Sequence, residues 1–195
     1  MLFVLLGACS GPSFDKGKVA QVINQGLSAA PVCYPVPVGV PLESSADKSL
    51  ADSSLALKEL LAQGLAKPGQ ISYQGFSRPG LADGYVFAES AAALIQTPAV
   101  PDAFLRKQPC LQFGHWKIKT IEALDSGTDA SGKPVATVRA SIEFVPRDWI
   151  QLTRTNPAWA SYWGNIEQLE RSQWLYRLLK SGEEYFFTGP GEKLK

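Results

Sequence analysis

The chain has 195 residues, 45% of them hydrophobic and 19% charged, and its 19 basic and 18 acidic side chains leave a formal net charge of +1. That length buries a real core as one domain or two small ones, and the composition is that of a globular chain. So even a charge balance excludes the dense Lys/Arg cluster that nucleic-acid binding requires, and no basic stretch forms a patch for anionic lipid.

The start, Met1 to Leu6, is apolar and closes on Leu6-Gly7-Ala8-Cys9. This run resembles the lipobox of bacterial lipoproteins, in which the cysteine becomes the lipid-bearing first residue of the mature chain. The resemblance implies that small Gly7 and Ala8 admit a peptidase and that the Cys9 thiol takes up a diacylglyceryl group as a thioether. It implies a durable anchor, because two or more acyl chains hold a membrane where one does not. A secretory signal opens with basic residues before an apolar stretch of about 7–15 residues. No Lys or Arg precedes Cys9, so translation is expected to begin upstream of Met1. Ser10, rather than Asp, follows the cysteine, which under the family's enterobacterial sorting pattern favours the outer over the inner membrane. The competing reading is an apolar N-terminal strand that contains a cysteine.

With Cys9 assigned to lipid, Cys33 and Cys110 remain as an even pair. In an oxidising periplasm they are expected to form a disulfide, worth on the order of 4 kcal/mol for so long a loop. Two buried thiols packing as small apolar groups are the alternative.

Past the start, no apolar run approaches the ~20 residues of a membrane-spanning helix, so the mature chain is expected to be soluble. Residues 1–14 read as signal and tether. Asp15 is placed to cap a helix reaching about Ala29, with Val19, Val22, Ile23 and Leu27 on its apolar stripe. Pro31 stops it. The segment Pro31 to Pro41 alternates proline with valine, so it is extended and lacks ladder donors, as an edge strand or crossover does. A second helix is expected over Asp47 to Leu65, with Leu50, Leu57, Leu60 and Leu61 in a stripe and Gly64 as a left-handed stop. A β-hairpin follows: Gln70–Phe76, a turn over Ser77–Gly84, and Tyr85–Ala88.

The run Leu57-Lys58-Glu59-Leu60-Leu61-Ala62-Gln63-Gly64-Leu65, with the hairpin ending Tyr85-Val86-Phe87-Ala88-Glu89-Ser90, resembles the recognition helix and wing of winged-helix domains. The resemblance covers roughly forty residues and implies that fold for the helical half, residues 15–108. A DNA-reading helix offers Arg, Lys, Asn or Gln to base edges. Here Lys48 and Lys58 are offset by Asp47, Asp52 and Glu59, and the hairpin turn offers only Arg78. The fold is expected without the reading surface, and nucleic acid is not an expected partner.

From residue 109 the character turns to strands. Leu111–Leu124 and Val135–Val145 form a hairpin across a loop from Asp125 to Pro134. Val138, Ala140, Ile142 and Phe144 share one face of the second strand. In the first, the phase breaks at Thr120-Ile121, as at a bulge. Asn156-Pro157 opens a short helix bearing Trp159, Tyr162 and Trp163, and a further helical stretch follows Gly164. Trp174–Leu179 and Glu183–Thr188 read as a hairpin around Ser181-Gly182, with a helix through Leu179 as competitor. Gly189 to Lys193 reads as a tail. The fold class is therefore α+β: a helical half with winged-helix character, then an aromatic-rich antiparallel sheet half over residues 109–195.

No catalytic constellation is visible. His115 is the only histidine, which rules out two-His zinc motifs, and its place at a strand start reads as structural. No G-x-S-x-G elbow occurs, and neither Cys33 nor Cys110 has a basic activator in sequence. Asp125, Asp129 and Ser131 have faint EF-hand spacing, yet Gly127 and Ala136 fill ligand positions, so a plain hairpin loop is expected and no metal or cofactor. Glu122, Asp125 and Glu143 are the carboxylates a hydrolase would use, though each reads as solvent-facing. The positive surplus is aromatic: Trp149, Trp159, Trp163 and Trp174, four of the five tryptophans, lie in the last third. Their first expectation is a packed core. Trp159, Tyr162 and Trp163 form the candidate partner surface should any be exposed.

The sequence thus points to an envelope lipoprotein, facing the periplasm from a lipid anchor at Cys9, with a non-catalytic binding or assembly role towards a protein or cell-wall partner. An envelope hydrolase working through carboxylates is the alternative. A cytoplasmic winged-helix regulator comes third and requires the lipobox to be accidental.

Overall fold

A computed structural model of the chain describes residues 13–30, 32–42, 45–74, 79–96 and 110–194. In chain order these form helix α1 (Lys16–Ala29), strand β1 (Val32–Pro35), helices α2 (Ser45–Ser53) and α3 (Leu55–Ala62), and strands β2 (Ala66–Gln74) and β3 (Pro79–Phe87). A 3₁₀ turn (Glu89–Leu94), strand β4 (Ile95–Gln96) and the long strands β5 (Cys110–Thr128) and β6 (Pro134–Pro146) follow. The chain ends with helix α4 (Asp148–Gln151), a 3₁₀ turn (Pro157–Trp159), helix α5 (Ala160–Glu170) and strands β7 (Gln173–Ser181), β8 (Glu184–Phe187) and β9 (Glu192–Lys193). This is an α+β fold, with a helix and β-hairpin region in the N-terminal half and an aromatic-rich antiparallel sheet in the C-terminal half.

The chain divides into two compact units, and they do not follow the sequence halves at residue 108. One comprises residues 1–31, 115–146 and 161–195; the other comprises 32–114 and 147–160. The boundary falls inside β5, and α1 goes with the C-terminal strands and α5 rather than with α2, α3 and α4. A helix with a single apolar stripe needs a single apolar face to cover, and β6 supplies one.

In the first unit the strands run β5-β6-β7-β8, with β9 also on β7. The alternation along β6 buries Ala136, Val138, Ala140, Ile142 and Phe144. Val19 and Ile23 of α1 are fully enclosed in one cluster with Ile121, Val138, Ala140, Ile142, Tyr176 and Leu178. Burying aliphatic side chains of that size stabilises by about 1.5–3 kcal/mol each. The helix starts where the sequence predicts, since the Asp15 carboxylate accepts the Lys18 N–H at 2.7 Å. Asn24 Oδ1 accepts the Ile118 N–H at 2.7 Å, which occupies a donor of β5. Along β5, Lys119 and Thr120 are both exposed and Ile121 is buried, the phase break the sequence predicts. Gly182 takes φ of 61° as the first residue of the two-residue β7–β8 turn, a place that favours glycine. Residues 189–193 are no tail: β9 pairs with β7 through Trp174–Lys193 and Leu175–Glu192. A side chain at Gly191 would stand 2.4 Å from the Tyr176 ring, so only glycine lets the segment lie that close.

In the second unit, Ser54 caps α3 by accepting the Leu57 N–H at 3.2 Å, and the helix expected from 47 to 65 is broken there. The adjacent Ser53 hydroxyl donates to the Leu50 carbonyl, so two serines engage the backbone where a helix would otherwise continue. Helix α3 buries Ala56, Leu57 and Leu60 and ends as expected: Gly64 has φ of 68°, and Leu65 N–H returns to Leu60 O at 2.8 Å. Strands β2 and β3 form the expected hairpin, but each is longer, and Pro79, Gly80 and Gly84 lie within β3. Gly84 is needed for a close approach, because a Cβ there would stand 2.8 Å from the Val40 carbonyl oxygen. The Pro-Val segment runs beside β3, with Gly39 N–H donating to Tyr85 O and Leu42 N–H to Asp83 O. Its Val36, Val38 and Val40 are buried. Phe113 is enclosed between Trp149 and Trp159, whose ring centroids stand 5.0 and 5.5 Å away. Gln63 Nε2 donates to Trp149 O at 3.0 Å, which joins the end of α3 to this cluster.

Candidate functional site

The described chain begins not as a loose tether but as a strap laid on the β7–β8 hairpin. Lys180 Nζ donates to Ser13 O at 3.3 Å, the Phe14 and Tyr185 rings stand 5.2 Å apart, and the Asp15 N–H donates to Tyr185 Oη at 3.0 Å. The Lys180 ammonium lies 5.9 Å from the Phe14 ring centre and 5.7 Å from that of Tyr185. Each contact is modest, with a cation over an aromatic face at a wet site worth about 0.5–1 kcal/mol. Together they hold three consecutive residues, Ser13 to Asp15, to one hairpin. Cys9 itself, with Ser10 and the rest of the expected tether up to Pro12, lies outside the described residues.

The candidate partner surface is corrected. Trp159 is 2% exposed and Trp163 is 7% exposed, and Tyr162 is half-buried. Trp159 packs on Phe113 in one unit, and Trp163 meets Phe144 and Tyr162 in the other. They fill cores because large flat rings are the main source of buried area in a small sheet domain. The large apolar side chains that do face solvent are Leu50, Leu81, Leu152 and Phe186, and the sequence reading missed all four as surface. Leu81 follows Pro79 and Gly80, and Phe186 alternates with inward Tyr185 and Phe187. Strand phase was the signal that could have found both.

Cys33 is exposed on β1 opposite Gln112 and belongs to a disulfide, so the alternative of a buried free thiol does not hold for it. Cys110 stands opposite Pro35 and its side chain lies outside the described residues, so the expected Cys33–Cys110 pairing is not among the described contacts.

His115 is half-buried within β5. Among the proposed carboxylates, Glu143 forms an ion pair with Lys117 at 2.9 Å on the solvent side of the sheet, and Glu122 and Asp125 are exposed. In the loop beyond, Asp129 Oδ1 accepts from Ser131 N, Ser131 Oγ and Lys133 N at 2.8, 2.7 and 2.9 Å. The Ser131 hydroxyl first, and the Lys133 N–H after it, hold this carboxyl below its ordinary value. Its oxygen already serves a turn, which is what an aspartate in a hairpin loop does. Among the described residues no three His, Cys, Asp or Glu side chains gather as a metal site. On α2 and α3, Lys48, Lys58 and Asp52 are exposed, and Glu59 accepts from Gln63 at 2.8 Å; Arg78 lies outside the described residues. No helix among the described residues is long and apolar enough to cross a membrane.

Compared with protein-family models, with characterised proteins and with solved structures, the chain shows no match. No relative therefore extends the four-residue run Leu6-Gly7-Ala8-Cys9, and the expected terms lipoprotein, signal peptide, cell envelope, periplasm and palmitate are not descriptions that these comparisons give.

Proposed function

We propose that the chain acts as a membrane-anchored bacterial envelope protein, acylated at Cys9, with a non-catalytic binding or assembly role towards a protein or cell-wall partner. The observation that carries this reading is the run Leu6-Gly7-Ala8-Cys9 placed just ahead of a strap that packs on the fold from Ser13 onward. A thioether-linked diacylglyceryl group with an acylated amino terminus gives a stable anchor, and the folded units then work close to one surface. Exposed Leu50, Leu81 and Leu152 are the side chains a partner would cover.

The test is Cys9→Ala in the native host, with membrane fractionation and mass analysis of the mature N-terminus. The wild type is expected in the membrane fraction with acyl groups on residue 9, and the variant in the soluble fraction at comparable abundance. An unprocessed wild-type N-terminus without fatty acid would overturn the proposal and return the cytoplasmic alternative. Crosslinking the anchored wild type in its own envelope then identifies the partner.

A further inference from the structure

The proposed anchor and the docked strap are separated only by residues 10, 11 and 12. Four residue steps span at most about 14 Å when fully extended. A chain of that reach cannot hold the body away from the bilayer, and the strap contacts decide which part of it meets the lipid. We infer that the β7–β8 hairpin and the first turn of α1 rest on the bilayer surface when the chain is acylated. This inference depends on the anchoring proposed above. It adds a fixed orientation, with the hairpin side of its unit against the membrane.

The side chains at this place suit an interface. Phe186 is 48% exposed on β8, and Phe14 and Tyr185 expose part of their mutually tilted rings beside the Lys180 ammonium. Aromatic bodies with polar tips and lysines with apolar stems are at home at the headgroup level. Lys16, Lys18 and Lys180 are balanced by Asp15, Glu183 and Glu184, so the contact comes from reach and apolar area rather than from attraction to anionic lipid.

The experiment is hydrogen exchange on the acylated full chain in phosphatidylcholine vesicles, compared with soluble Cys9→Ala. Amides of Lys16 and Gly17 and of the turn at Gly182 and Glu183 are expected to exchange several-fold more slowly on vesicles. Inserting twenty Gly/Ser residues between Pro12 and Ser13 lengthens the tether to about 25 Å r.m.s. and is expected to restore their fast exchange. Vesicle-bound, acylated protein in which these amides exchange as in the soluble variant would overturn the orientation and leave the anchor standing. Equal protection with the short and the long tether would overturn the argument from reach. A chain that mass analysis finds unacylated would remove the anchor, and the orientation with it.

Discussion

Gly26 of α1 sits directly under Phe187 of β8, and substituting it sets two known effects against each other. A methyl group built there would lie 2.2 Å from Phe187 Cδ1 and 2.6 Å from Cε1. Carbon atoms settle at about 3.5–4.0 Å, so the ring must retreat by more than about 1 Å. Alanine gains about 1 kcal/mol over glycine in a helix interior. Overpacking costs typically about 1–3 kcal/mol, and here the displaced ring also packs against Tyr176 at 6.0 Å in the core cluster. The steric effect wins. Gly26→Ala is expected to destabilise by about 1–2 kcal/mol, which moves a urea midpoint down by about 0.5–1 M. In a Phe187→Ala background the obstruction is gone, and the same change is expected to stabilise by about 1 kcal/mol. The two equilibrium titrations, followed by far-UV circular dichroism, give the coupling directly. A stabilising Gly26→Ala in both backgrounds would refute the reasoning, because the helix and β8 would then not be in the contact described.

Two further outcomes follow from the same cores. Burial pushes the Tyr176 phenol up to about 12, above its ordinary value near 10, so the fold favours the protonated form. That preference contributes stability below about pH 10 and loses it as pH rises through 12, by up to about 2–3 kcal/mol. Alkaline titrations of stability should show this loss in the wild type and lack it in Tyr176→Phe; parallel curves would sink the assignment. Trp159→Ala should cost about 3–5 kcal/mol in thermal or urea unfolding, as truncation of an enclosed aromatic does, whereas a change below about 0.5 kcal/mol would return Trp159 to the surface.

What the sequence made legible was local. The Asp15 cap, the glycine stop at Gly64, the Asn156 cap and the Gly182 turn each join groups a few residues apart, and their chemistry is written in adjacent side chains. Strand phase worked for the same reason, because alternation along β6 is a property of one segment. The break at Ser54 is local as well, and a helical stripe that continues past it in leucines conceals it. The aromatic residues differ: the packed core expected first is what Trp159 and Trp163 form, and the surface role offered beside it is not. Trp159 and Trp163 look alike in sequence whether they line a groove or fill a core, and only the partners Phe113 and Phe144, both distant in the chain, decide between the two.

The strap shows where this limit bears on function. The bond from the Asp15 N–H to Tyr185 Oη spans 170 residues, and nothing near Phe14 announces that a lysine and a tyrosine of the last hairpin will receive it. A reading of the first fourteen residues by themselves makes them a flexible leash, for glycine and proline next to a helix start suggest no more. Packing changes that from Ser13 onward. Two hydrogen bonds, a ring pair and a cation over two ring faces hold the backbone where it leaves the fold. An anchor at Cys9 would then fix orientation as well as location.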